Sequence, residues 1–189
     1  MRNGARAAAV LLLAMTVVAG VGCALGETLS VTPGDVVVIT GTVGEQNVAR
    51  VVLRVDVPEQ VQSARIDFTE LTFPAFLGDT SPAVVTVAAH CAQTSWDGGG
   101  VTWSAPWSRP GGDFDSVACA RYASLPGRTH PVVLDITKAV RDWQHGRNNY
   151  GLFLKRPDAE GGGFLGERDR LRTALNSARV KFYFTPVQQ

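Results

Sequence analysis

Two tryptophans and a run of basic residues are the side chains whose chemistry this sequence leaves most open. Trp96 and Trp107 stand in the Gly- and Pro-rich stretches QTSWDGGG and SAPWSRPGG, where exposed aromatics are hard to explain by packing. A flat aromatic face suits the C–H surface of a sugar ring, which makes the pair candidate ligand platforms. Sugar hydroxyls and uronate carboxylates need hydrogen-bonding or charged groups beside such a platform. Lys155, Arg156, Arg168, Arg170 and Arg172 gather in sequence around the last loop, and guanidinium forks match carboxylates. The ERDR portion alternates in sign, which is also the pattern of a solvated, salt-bridged face. Trp103, in the VTW stretch, and Trp143, on a helical stripe, are expected in the core.

Catalytic chemistry finds little support. His90, His130 and His145 have no serine elbow, HExxH or CxxC near them, so they read as surface or strand-end residues. The carboxylate pairs Asp113/Asp115 and Glu167/Asp169 do not by their spacing place an acid and a base across a substrate, as a glycosidase needs. The chain is expected to be non-catalytic and to carry no cofactor. Asp113 and Asp115 in GGDFDS are weak calcium candidates, because two carboxylates fall short of the roughly six to eight oxygens that calcium takes.

The 189 residues carry 45% hydrophobic and 19% charged residues, enough for one well-buried core. Residues 1–26 stand apart: MRNGAR is basic, AAAVLLLAMTVVAGVG is apolar, and the run is shorter than the roughly 20 residues of a spanning helix. They are expected to be an export signal. Gly22-Cys23 resembles a bacterial lipoprotein cleavage point, with Cys23 as the lipidated residue, while Ala24-Leu25-Gly26 offers an ordinary cut before Glu27. Both routes lead to a secreted or cell-surface protein, touching the membrane only through a lipid anchor. Cys91 and Cys119 are then left to pair. An oxidising compartment favours their disulfide, whose loop of about 29 residues contributes about 3.6 kcal/mol in the chain-entropy treatment; two buried thiols are the alternative. Arg2 and Arg6 leave with the signal, so 16 basic residues face 17 acidic ones. A chain so nearly neutral has no overall field for nucleic acid.

The elements that must position these residues are mostly strands. DVVVIT, NVARVVLRVDV, SARIDFTEL, AVVTVAAH, HPVVLDI, YGLFLKR, LRTALNS and ARVKFYF are expected strands, separated by Pro- and Gly-containing turns. In ARVVLRVDV, Val51, Leu53, Val55 and Val57 fall on one face; Val52, Arg54 and Asp56 fall on a face expected to meet solvent. Between Gln93 and Gly127 only one short strand, at VTW, is expected within long loops. One short helix, about residues 136–145, carries Ile136, Val140 and Trp143 on a single stripe, with Asp135 or Thr137 to cap it and Gly146 to end it. The whole is expected to be an all-β jelly-roll sandwich of antiparallel strands in a single domain, residues 27–189, with the helix plugging one edge or end.

The succession ARVVLRVDVPEQVQSARIDF, GVTWSAPW, VVLDITKAVRDWQHGRNNYGLFLK and ARVKFYF resembles the DNRLRE domain family, which is related to disaggregatase-associated modules. The likeness covers roughly residues 35–184, and its most specific parts are V-T-W and the D-I-T-x-x-V-x-x-W-x-x-G run followed by N-Y-G-L. The resemblance implies a jelly-roll sandwich of secreted or surface proteins, some of which bind acidic polysaccharides such as alginate or pectin. The Cys91–Cys119 segment and GGGFLGERDRLRTALNSAR depart from the family pattern. The expected function is a carbohydrate-binding module for an acidic or cell-wall polysaccharide. A structural or adhesive surface lipoprotein that contacts a protein partner is the alternative, and a small polysaccharide lyase or hydrolase is the third.

Overall fold

The computed structural model describes residues 26–76, 84–124, 130–157 and 163–187, so the expected signal segment up to residue 25, Cys23 included, lies outside the described residues. Among the described residues, nine strands form two antiparallel sheets: β1 (Glu27–Val31), β2 (Val36–Val43), β3 (Gln46–Leu53), β4 (Arg65–Phe73), β5 (Val85–Cys91), β6 (Ala120–Ser124), β7 (Val132–Asp135), β8 (Leu152–Lys155) and β9 (Arg179–Thr185). One sheet runs β1-β9-β4-β7 and the other β2-β3-β8-β5-β6. The fold is the all-β sandwich that the alternating sequence leads one to expect.

The two inner faces meet in a core to which Val51, Leu53, Leu71, Leu152, Leu154 and Phe182 contribute completely buried side chains. Their alternation along each strand places the intervening residues on the outer faces. Helix α2 (Thr137–Gln144) follows β7 and buries Ile136, Ala139, Val140 and Trp143, as its stripe requires. Asp135 accepts the Thr137 amide at 3.0 Å, and Gly146, at φ +96°, ends the helix. Arg141 donates to Ile66 O at 2.8 Å and Gln144 to Val61 O at 2.7 Å, tying the helix across β4 and its approach.

Three expectations are corrected. The helix is not alone: α1 (Glu59–Gln62) inserts Val61, and α3 (Arg168–Leu175) replaces the strand expected at LRTALNS. Leu171 and Leu175, four residues apart, share a face in a strand and in a helix alike; burial of Ala174, three residues from Leu171, selects the helix. VTW forms no strand, because the Thr102 hydroxyl accepts the amides of Ser104 and Ala105 and makes a local turn. Finally, the second face of β3 is not left to water. Val52 is completely buried there, within an aromatic cluster of Ile39, Trp96, Trp107, Phe114 and Phe153. The segment from Ala92 to Ala118 folds back over the outer face of the five-stranded sheet and gives it a second, smaller core.

Candidate functional site

Lys155 and Phe153 point out of β8 because Leu152 and Leu154 point in. Register fixes what lies beside Lys155. Ala88 of β5 pairs with Lys155 on one side and with Arg121 of β6 on the other. Val51 pairs with Leu154, so Arg50 stands next to Lys155 on β3. Residues level across neighbouring strands share a face, and strands are spaced at about 4.8 Å. Arg50, Lys155 and Arg121 therefore form one row across the outer face, with the last two roughly 10 Å apart at their backbones and only the small Ala88 between them.

The overlying segment supplies an aromatic wall and a further cation. Three cations approach the Phe114 ring: Lys155 Nζ at 4.3 Å from its centroid, Arg50 at 5.5 Å and Arg109 at 5.6 Å. Arg50 also lies 4.9 Å over Trp103 and donates to Gly111 O at 2.8 Å. Trp103 rests where a side chain at Gly41 would have to sit, so that glycine makes room for the indole on the sheet. Exposure rises along the row: Arg50 is buried, Lys155 half-buried and Arg121 exposed. Burial pushes the Lys155 ammonium below its usual range, and the neighbouring charges of Arg50 and Arg109 push it the same way. Arg50 is lowered likewise, by burial and then by Arg109.

Among the described residues, carboxylates do little to offset the charge of Lys155, Arg121 and Arg109. Among the described residues, Lys155 and Arg121 have no acidic partner, and Arg109 reaches Asp113 only at 3.8 Å. Asp113 is itself 6% exposed and accepts from Ser108 N at 2.6 Å, Ser108 Oγ at 2.8 Å and Thr94 Oγ1 at 2.9 Å. Burial raises its pKa, yet these hydrogen bonds and then Arg109 outweigh it and hold the carboxyl below the usual range. Asp115 turns to Arg147 at 2.6 Å and accepts from Gln93 at 3.1 Å. The two aspartates are thus engaged separately, and no group of three or more metal-ligating side chains occurs among the described residues.

The expected platforms are corrected as well. Trp96 and Trp107 are only 4% and 6% exposed. Trp96 donates to Tyr150 O at 2.6 Å, with Arg54 stacked 4.9 Å over its ring and donating to its carbonyl. Trp107 donates to Thr102 O at 2.9 Å and meets Phe153 edge-on at 5.0 Å. They hold the segment down, while Trp103, expected in the core, is the half-buried one. The basic set divides too. Arg156 pairs with Glu167 at 2.9 Å, Arg168 pairs with Asp169 at 2.9 Å, and Arg170 and Arg172 project from α3. Of the five, Lys155 alone joins the row. The sequence alone does not single out Arg50, Arg109 and Arg121; Arg50 and Arg121 are basic residues at outward strand positions, legible only once the register is known, and Arg109 comes from the overlying segment.

His90 lies beneath the same wall, 5% exposed, with Nδ1 2.7 Å from Asp115 O and its ring edge-on to Phe114 at 5.4 Å. Cys91 and Cys119 are free thiols. They lie in hydrogen-bond contact, which lowers the Cys91 pKa and raises that of Cys119. At the α2 end, a groove of about 560 Å³ is lined by Asp56, Gln62, Trp143, Gln144 and Asn149, but the Gln62, Gln144 and Asn149 amides already donate to backbone carbonyls. No protein-family model matches the chain, and no curated protein matches it.

Proposed function

We propose that this protein is a non-catalytic, exported module that binds an acidic polysaccharide on the outer face of its five-stranded sheet. The observation that carries this reading is the row of Lys155 and Arg121, joined by Arg109 and flanked by half-buried Trp103, with little carboxylate among the described residues to neutralise it. A uronate polymer presents carboxylates at regular intervals along a chain that can lie across the strands. Lys155 and Arg121 would take carboxylates, while Trp103 would offer the apolar contact first expected of Trp96 and Trp107. The resemblance to the DNRLRE domain family supports the same ligand class. Affinity electrophoresis in gels containing uronate polymer or neutral glucan tests it: retardation is expected in the first only. Equal migration in both would remove the reading.

Burial of Trp96 and Trp107 favours a second reading, a structural or adhesive surface lipoprotein that contacts a protein partner. The two readings separate on whether acidic polysaccharide alone retards the chain. The lipid anchor is tested independently: Cys23→Ser should release the protein from the membrane fraction.

A further inference from the structure

The ends of the Ala92–Ala118 segment are drawn together before any covalent bond is considered. Ala92 bridges Phe114, Gln93 N donates to Asp113 O at 2.9 Å, and Asp115 N donates to Cys91 O at 3.0 Å. Four residues later Cys119 N donates to Ala89 O at 2.8 Å, and Cys119 Sγ lies 3.3 Å from the same oxygen. Cys91 belongs to the main core and Cys119 packs against that core, so both sulfurs face the same side of the sheet. The two thiols are hydrogen-bond neighbours. Little further ordering is needed to join them.

We propose that Cys91 and Cys119 form a disulfide by exchange with an oxidised dithiol, and that this bond fastens the segment from Ala92 to Ala118 onto the sheet. Cys91 is 2% exposed and Cys119 is half-buried, so the oxidant meets Cys119 first. One thiolate of the pair attacks the oxidant's disulfide and releases one thiol; the other thiolate then attacks the protein sulfur of that mixed disulfide and releases the second. Each cysteine loses one proton, and the two electrons reduce the oxidant to two thiols. The bond closes the mouth of the segment that carries Trp96, Trp107, Arg109 and Phe114, and hence the aromatic wall.

The test uses the full chain in a Cys23→Ser background, so that two thiols remain. The protein is equilibrated with oxidised glutathione or with dithiothreitol, alkylated in denaturant and mapped by mass spectrometry. After oxidation, Cys91 and Cys119 should resist alkylation and appear in one linked peptide. Thermolysin cleavage within residues 93–118 should be several-fold faster in the reduced protein. Alkylation of both cysteines after oxidation, or glutathione held separately on each, would overturn the bond; equal cleavage in the two states would overturn its fastening role. Neither readout involves a polysaccharide, so the outcome is independent of the ligand reading.

Discussion

Lys155 places an ammonium 4.3 Å from the Phe114 centroid and close to two arginines, an arrangement that costs the folded protein charge repulsion and gains no ion pair among the described residues. If the residue serves an anionic ligand, Lys155→Ala should weaken uronate binding about three- to tenfold, on the order of 1 kcal/mol, without lowering stability. Lys155→Arg should retain most of the binding. Isothermal titration with an oligouronate, beside thermal melts of both variants, checks this. Two buried groups under the wall set its pH dependence. His90 is held below its ordinary value by burial, opposed by its hydrogen bond to Asp115 O and reinforced by Lys155 and Arg121. The unfolded imidazole therefore takes its proton first, and stability should fall as the pH drops below about 6.5 toward the lowered folded value. Asp113 acts with the same sign lower down: its depressed carboxyl contributes stability above the usual carboxylate range that is lost as the pH falls through the folded value. Urea midpoints from pH 7.5 to pH 3 should show both declines. His90→Gln should remove the upper one alone.

At the scale of elements, the Ala92–Ala118 segment behaves as a third layer, held by its aromatics rather than by regular hydrogen bonding. Trp107→Ala should cost about 3–5 kcal/mol in chemical denaturation, the loss expected of a buried indole; an exposed platform would lose far less. Gly112 sits at φ +105° with the Phe153 ring where a side chain would go. Gly112→Ala should lift the segment from the sheet, seen as a red shift of tryptophan emission and faster proteolysis within it. This layer was the part least legible in the sequence. Strand alternation identified the inner face through Val51, Leu53, Leu152 and Leu154, and the α2 stripe was plain in Ile136, Val140 and Trp143. Nothing local distinguishes a Gly/Pro-rich loop that waves in water from one that lies on a sheet. That depends on Val52 and Phe153 offering a second apolar face across strands distant in sequence. The same gap hid the site: Arg50, Lys155 and Arg121 lie 34 to 105 positions apart and meet through register alone.

For the whole molecule, a chain with nearly balanced charge nevertheless concentrates cations on one sheet face, while Arg65, Arg156 and Arg168 elsewhere pair locally with Asp67, Glu167 and Asp169. Binding through such a face should weaken steeply with salt, since ionic strength screens exposed charges within about 10 Å at 0.1 M. The most direct measurement is affinity electrophoresis of the processed chain and of a Lys155→Ala/Arg121→Ala double variant, each verified as folded, in gels with uronate polymer or neutral glucan. The expected result is retardation of the wild-type chain by the uronate polymer alone, abolished in the double variant. Retardation of the folded double variant equal to that of wild type, or no retardation of wild type by any acidic polymer, would contradict a polysaccharide site on this face.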